Sequence, residues 1–235
     1  MKLGILNAFP SEDYIIDWRD TPSDAYIRFL ELAKPNFEYV GYDVADGKFP
    51  NSVDACDAYL ITGSPKGVYD TYEWIAELAD FIRDAYHAGK KLVGICFGHQ
   101  ILAHALGGHS ERSEKGWGLG AQAFDIYQQK DWMTKDLEKC SLHFVHQDQV
   151  KQLPPEAELL GGNEFCPNLF FAIEDQVLGV QGHPEFTADI MHQILDARKE
   201  IFGPGLCAAA TTSIDIGSPD NQILAKWVVN FLLTS

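Results

Sequence analysis

Residues 91–100 read KLVGICFGHQ, and the reading of this stretch decides the fold. KLVGI at 91–95 is a short apolar run with no polar face, the pattern of a strand covered on both sides. It runs straight into Cys96. Helical sequence begins at once and continues to about residue 106, where Gly107-Gly108 ends it. A side chain on such a strand-to-helix turn is pushed out at the carboxyl edge of a sheet, where open α/β folds place their sites. Gly94 and Gly98 remove side chains that would crowd the turn. The helix start offers free N–H groups and partial positive charge, and both favour a thiolate. Against this stands the plainer reading, an inert core cysteine, because free cysteine is among the most buried residue types. A reactive Cys96 needs a base beside it.

Working outward, strand and helix alternate. Residues 2–7 (KLGILN), 37–44 (FEYVGYDV) and 58–62 (AYLIT) read as strands. Thr21-Pro22 reads as a helix N-cap and first turn, followed by a stripe of Ala25, Phe29, Leu32 and Ala33. A helix is expected at about 72–88, ended by Gly89. Short connections between alternating elements predict an α/β fold, a three-layer α/β/α arrangement around a mostly parallel, flavodoxin-like sheet. Residues 120–182 are strand-rich (GAQAFDIY, SLHFVH, AELLGG, LFFAI, VLGVQ) and predict an antiparallel extension of that sheet. Helices return at about 187–201 and 220–233. Residues 203–219 show no periodic pattern and read as an unstructured connection, uncommon at that length unless functional or mobile. No linker divides the chain, so one domain over 1–235 is expected, with 187–235 as a helical C-terminal extension.

Composition bounds the function. The chain has 235 residues, 46% of them hydrophobic, enough for a sizeable core. Lys and Arg number 18 against 34 Asp and Glu, a net charge of −16. Such a surface repels phosphate backbones and anionic lipid, so neither nucleic acid nor membrane is an expected partner. No apolar run approaches the roughly 20 residues of a membrane helix. The N-terminus reads as a first strand rather than a secretory signal. Five scattered cysteines without C-x-x-C suggest no disulfide framework or zinc ribbon, and a reducing cytoplasm. No cofactor and no metal is expected.

Eight histidines are candidate bases for Cys96. His87, His104 and His192 fall in predicted helices and read as surface or packing residues; His99 lies on the helix after Cys96. His143 and His146, three apart on a strand, point to opposite faces and make a poor metal pair. His183 differs. It follows the apolar strand VLGVQ after Gly182, at the sheet edge expected for Cys96, and Glu185 stands two residues on. Residues two apart in an extended stretch point the same way, so Glu185 can hold the His183 ring and fix its tautomer. Cys96, His183 and Glu185 then make nucleophile, base and orienter, the logic of acyl transfer. Other signals are weak. Gly63–Gly67 lacks the spacing of a phosphate-binding loop, and GWGLG precedes no helix. The acidic clusters read as solvated faces, and Trp18, Trp132 and Trp227 as packing residues.

With these residues in view, the sequence resembles class I glutamine amidotransferase domains, in particular the amidotransferase part of GMP synthetase. TGSPKGVYD (62–70) followed by Trp74-Ile75, GICFGHQ (94–100), KGWGLG (115–120), VHQDQV (145–150) and GHPEF (182–186) occur in the family's order. The resemblance implies that Cys96 attacks the carbonyl of a γ-glutamyl amide, that His183 moves protons and that Glu185 orients it. It implies an oxyanion held by the N–H groups of Ser64 and Phe97, and substrate contacts from Gly63, Gln100, Gly118, Gln147 and Asp148. The family usually has glycine where Ser64 stands. It often has Tyr, Leu or Arg where Phe97 stands.

An amidotransferase needs an ammonia acceptor, and the about 50 residues after Glu185 are too few for a synthetase module. The first expectation is therefore a stand-alone glutamine amidotransferase-like hydrolase. It would form a γ-glutamyl thioester and release ammonia for an acceptor or a separate synthase chain. The alternative is a γ-glutamyl peptidase or hydrolase using the same triad. A third, non-catalytic regulatory or binding protein, has no need of all three triad residues.

Overall fold

The computed structural model describes residues 1–18, 21–134 and 137–234. In chain order the strands are β1 (Lys2–Leu6), β2 (Glu38–Tyr42), β3 (Ala58–Ile61), β4 (Lys91–Ile95), β5 (His109–Arg112), β6 (Gly118–Ile126), β7 (Lys139–His146), β8 (Asp148–Gln152), β9 (Glu158–Gly162), β10 (Phe170–Ile173) and β11 (Val177–Val180). The helices are α1 (Pro22–Glu31), α2 (Glu73–His87), α3 (Phe97–Ala105), α4 (Ala188–Ala197), α5 (Lys199–Phe202), α6 (Pro204–Ile216) and α7 (Asn221–Leu233).

Among the described residues the main sheet has nine strands in the order β2-β1-β3-β4-β11-β10-β9-β6-β7. The first five pair in parallel, in the flavodoxin-like order 2-1-3-4-5 when β11 counts as the fifth. From β11 onward every pairing is antiparallel, which is the extension the sequence predicts. A separate two-stranded ribbon, β5 with β8, was not anticipated.

The parallel strands are buried on both faces. Val93 and Ile95 of β4 join a core with α1 and α7, through Tyr26, Phe29, Trp227 and Phe231. Leu92 points the other way, into a core with α2 and α3 through Leu78, Ile82, Ile101 and Leu102. A third cluster joins Trp18 and Phe186 to α4 and α6.

Three expectations need correction. Residues 203–219 are not an unstructured connection, since α6 occupies Pro204–Ile216. Gly203, at φ +80°, redirects the chain, Pro204 opens the helix and an alanine-rich run carries it. Only Ala210 and Ile214 on α6 are buried, too few to print an amphipathic period on the sequence. The helix predicted over 187–201 breaks at Arg198, whose φ of −119° ends α4. Finally, Leu32 caps α1 and is 44% exposed; the expected Ala25 and Phe29 are buried, and Tyr26 and Leu30 complete the buried face in its place. The Thr21 cap is as expected, part of a reciprocal capping box with Asp24.

Candidate active site

Three parallel strand ends are tied together at the carboxyl edge of the sheet. The Cys96 N–H donates to the Val180 carbonyl at 2.9 Å, joining the end of β4 to that of β11. The Gly98 N–H donates to the Thr62 carbonyl at 3.1 Å, joining α3 to the end of β3. β3 thus delivers Gly63 and Ser64, β4 delivers Cys96, and β11 delivers His183 to one place.

Cys96 itself is held in a costly conformation. Its φ is +54° and ψ −105°, outside the regions open to most side chains. The flanking glycines make this turn sterically feasible. A Cβ on Gly94 would lie 2.3 Å from the Gly98 carbonyl oxygen, and one on Gly98 would lie 2.2 Å from that of Ile61. Phe97 follows at the first position of α3. Its ring is buried against Trp74, with centroids 5.6 Å apart, so only its backbone N–H is offered to the site.

His183 is fixed from several directions. Its N–H donates to the His143 carbonyl at 2.8 Å, and its ring stacks on Phe186 with centroids 4.0 Å apart. Nδ1 lies 2.6 Å from Glu185 Oε1, the pairing the two-residue spacing predicts. The His143 ring in turn bonds the Phe186 carbonyl through Nδ1 at 3.0 Å. Burial disfavours a charged His183, but Cys96 and Glu185 outweigh it by charge and hydrogen bonding, and its pKa is pushed up to about 10. Gly63 lies between the partners. A Cβ there would stand 3.1 Å from His183 Cε1 and 3.7 Å from Cys96 Cβ.

Tyr26, which sequence reasoning passed over, anchors this arrangement. Its hydroxyl accepts the Gly63 N–H at 2.7 Å. Burial first, and then the Glu185 carboxylate, push its pKa well above the usual tyrosine value, so it stays a neutral phenol. The Gly63 N–H is therefore spent on Tyr26 and is not free for a ligand beside Cys96.

Two hollows meet at Cys96, sharing Ser64, Pro65, Val145 and Arg198 as walls. One, of about 310 Å³, is polar and lined by Lys66, Tyr69, Asp70, Arg112, Gln147 and Asp148 among others. The other, of about 60 Å³, is mostly apolar and lined by Phe9, Ile15, Ile16, Trp18, Phe186 and Ile194. Trp18 therefore faces the site as well as packing, unlike Trp132 and Trp227, which are buried in the core.

The remaining expected substrate residues divide. Gln147 and Asp148 line the polar hollow. Burial raises the Asp148 carboxyl. Gln100 lines the hollow too, but both donors of its amide are spent internally, on the Asp148 carbonyl and on Gln181 Oε1, each at 3.0 Å. Gly118 lines neither hollow: a Cβ there would strike Phe165 at 2.7 Å and His146 Nε2 at 2.8 Å. Its smallness admits the His146 ring, which borders the polar hollow. Burial holds that ring neutral by lowering its pKa to about 4. No group of three or more metal-ligating side chains occurs among the described residues.

The family model for class-I glutamine amidotransferases matches residues 15–198. The chain belongs to this family. It is 33% identical over 201 residues to gamma-glutamyl peptidase 3 of Arabidopsis thaliana, covering 81% of each chain. It is 31% identical over 141 residues to a GMP synthase of Porphyromonas gingivalis, covering 59% of this chain and 26% of that one. Among solved structures, a glutamine amidotransferase from Thermotoga maritima superposes with a TM-score of 0.75 at 18% identity, over 99% of this chain and 98% of that chain. That likeness supports the same α/β fold.

Proposed function

We propose that this protein hydrolyses γ-glutamyl amide bonds through Cys96, His183 and Glu185, and that its preferred substrates are γ-glutamyl peptides rather than free glutamine. The polar hollow takes the γ-glutamyl group, its charged α-amino and α-carboxylate groups meeting charges of both signs there. The Cys96 thiolate attacks the γ-carbonyl carbon. The Ser64 and Phe97 N–H groups receive the developing oxyanion, an interaction worth about 3–4 kcal/mol per donor in comparable sites. His183, held protonated and oriented by Glu185, gives its proton to the departing nitrogen as the C–N bond breaks. The amine leaves and a γ-glutamyl thioester remains. His183 then takes a proton from water, which attacks the thioester, releasing glutamate and restoring Cys96.

One observation carries the choice of substrate. Glutamine releases ammonia, which needs the space of a single water, about 10–15 Å³. The apolar hollow beside Cys96 offers several times that and is walled by aromatic and aliphatic side chains. The likeness to gamma-glutamyl peptidase 3 supports the same reading. It reverses the order expected from sequence, where glutamine came first. Glutamine hydrolysis serving a separate synthase keeps support from the GMP synthase likeness. The test is kcat/KM for γ-glutamyl dipeptides against glutamine, with Cys96→Ala as the control. Peptides are expected to be preferred, and a preference for glutamine overturns the assignment.

A further inference from the structure

Three cations border the polar hollow: Lys66, Arg112 and Arg198. Lys66 is paired with Asp13 at 2.9 Å. Arg112 stands near enough to Asp148 and Tyr69 for its charge to oppose the rise that burial gives both their pKa values. Arg198 is different. It forms no ion pair among the described residues, and it also borders the apolar hollow, whose other walls carry no charged side chain apart from the Cys96–His183 pair. Burial pulls its pKa down, with the charge of Asp13 opposing. A half-buried guanidinium without an ion pair or side-chain hydrogen bond among the described residues is chemically suited to receive a carboxylate.

Resting on the γ-glutamyl peptide reading above, we propose that Arg198 is a specificity-determining residue that receives the carboxylate of an amino-acid leaving group. The substrate class is then a γ-glutamyl-α-amino acid with an apolar side chain and a free carboxylate. Connectivity supports this placement. In such a substrate the carboxylate carbon is two bonds from the departing nitrogen, so it stays near Cys96, where the two hollows meet. The side chain, borne by the α-carbon between them, reaches into the apolar hollow. A carboxylate cannot enter that hollow without a charge at its mouth, and Arg198 supplies one.

The experiment compares γ-glutamyl-phenylalanine with γ-glutamyl-phenylalaninamide, which lacks only the carboxylate charge, with glutamine alongside. The wild-type protein is expected to favour the acid by roughly tenfold or more, chiefly through KM, as a charge-assisted bond implies. Arg198→Met is expected to bring that preference to within about twofold, while Arg198→Lys retains part of it. The wild-type comparison needs no variant and stands even if Arg198→Met fails to fold. Peptides preferred to glutamine but acid and amide cleaved equally overturn the Arg198 assignment alone. A preference for the acid that survives Arg198→Met does the same. Glutamine cleaved faster than both peptides overturns the underlying substrate reading, and this assignment with it.

Discussion

The Tyr26 hydroxyl accepts the Gly63 N–H at 2.7 Å, so a helix on one face of the sheet holds the loop that borders Cys96. Tyr26→Phe leaves that buried N–H without a partner, a cost of about 1–3 kcal/mol. It also frees Gly63 to turn its N–H towards the substrate carbonyl in place of Ser64. The expected result is a lower urea midpoint together with a kcat reduced by roughly tenfold, KM changing less. Unchanged kcat in a folded Tyr26→Phe protein would show that the loop needs no anchor.

Glu185 governs the pH range over which His183 stays protonated. The folded pKa of His183 is raised from 6.5 to about 10. The protonated ring therefore stabilises the fold fully below about 6.5, and that contribution fades as pH climbs through about 10. Glu185→Gln removes one of the two charges that raise it. The folded pKa should fall, and the alkaline limb of kcat/KM should move down by about 1 to 3 pH units. The pH-dependent loss of unfolding free energy, which starts near the unfolded-state pKa of 6.5 in both proteins, should be smaller in the variant and level off at lower pH. A pH–rate profile and denaturant unfolding between pH 6 and 10 read both effects, and an alkaline limb that does not move refutes the coupling.

Cys96 carries backbone strain, so removing its side chain has an unusual sign. A non-glycine residue at φ +54° costs about 1–3 kcal/mol. Glycine removes that cost but adds about 0.5–1 kcal/mol of unfolded-state entropy. Cys96→Gly should therefore be more stable than Cys96→Ala by about 1 kcal/mol, while both lack activity. Thermal unfolding of the two variants decides it. If Cys96→Ala proves the more stable, the turn is not strained.

How much of this was legible in the sequence differs from element to element. The turn at Cys96 was readable because Gly94 and Gly98 are required by backbone contacts under 2.5 Å, and such contacts leave glycine in the sequence. The pairing of His183 with Glu185 was readable from their two-residue spacing, although the segment is a turn, with the Phe186 N–H donating to the His183 carbonyl at 3.4 Å, rather than the extended stretch expected. Strand parity placed His143 and His146 on opposite faces, one holding the Phe186 carbonyl and the other bordering the polar hollow. Tyr26 was not legible, since a tyrosine on the apolar stripe of α1 looks like packing until β3 brings Gly63 against it. Helix α6 was missed because two buried side chains in thirteen residues leave no period to detect. Arg198 and Trp18 reach the site only through tertiary packing: a break after α4 presents one, and the segment before α1 folds back to present the other.

Trp18 offers the most direct test of the apolar hollow. Its backbone is held independently of its ring, because Arg28 donates to the Trp18 carbonyl at 2.7 Å and the Asp17 N–H donates to Gln193 Oε1 at 3.0 Å. The ring packs edge-on against Phe9 at 5.5 Å and tilted against Phe186 at 5.9 Å, and Phe186 stacks on His183. Trp18→Ala should therefore remove a wall of the hollow while the segment stays in place. If that wall receives the leaving group, kcat/KM for γ-glutamyl-phenylalanine should fall further than that for glutamine, by roughly tenfold or more, since one apolar contact discriminates by about 1–3 kcal/mol. A general fall through the Phe186–His183 stack would reduce both substrates together. The ratio of the two rates separates these causes. An unchanged ratio would mean that the leaving group departs by another route.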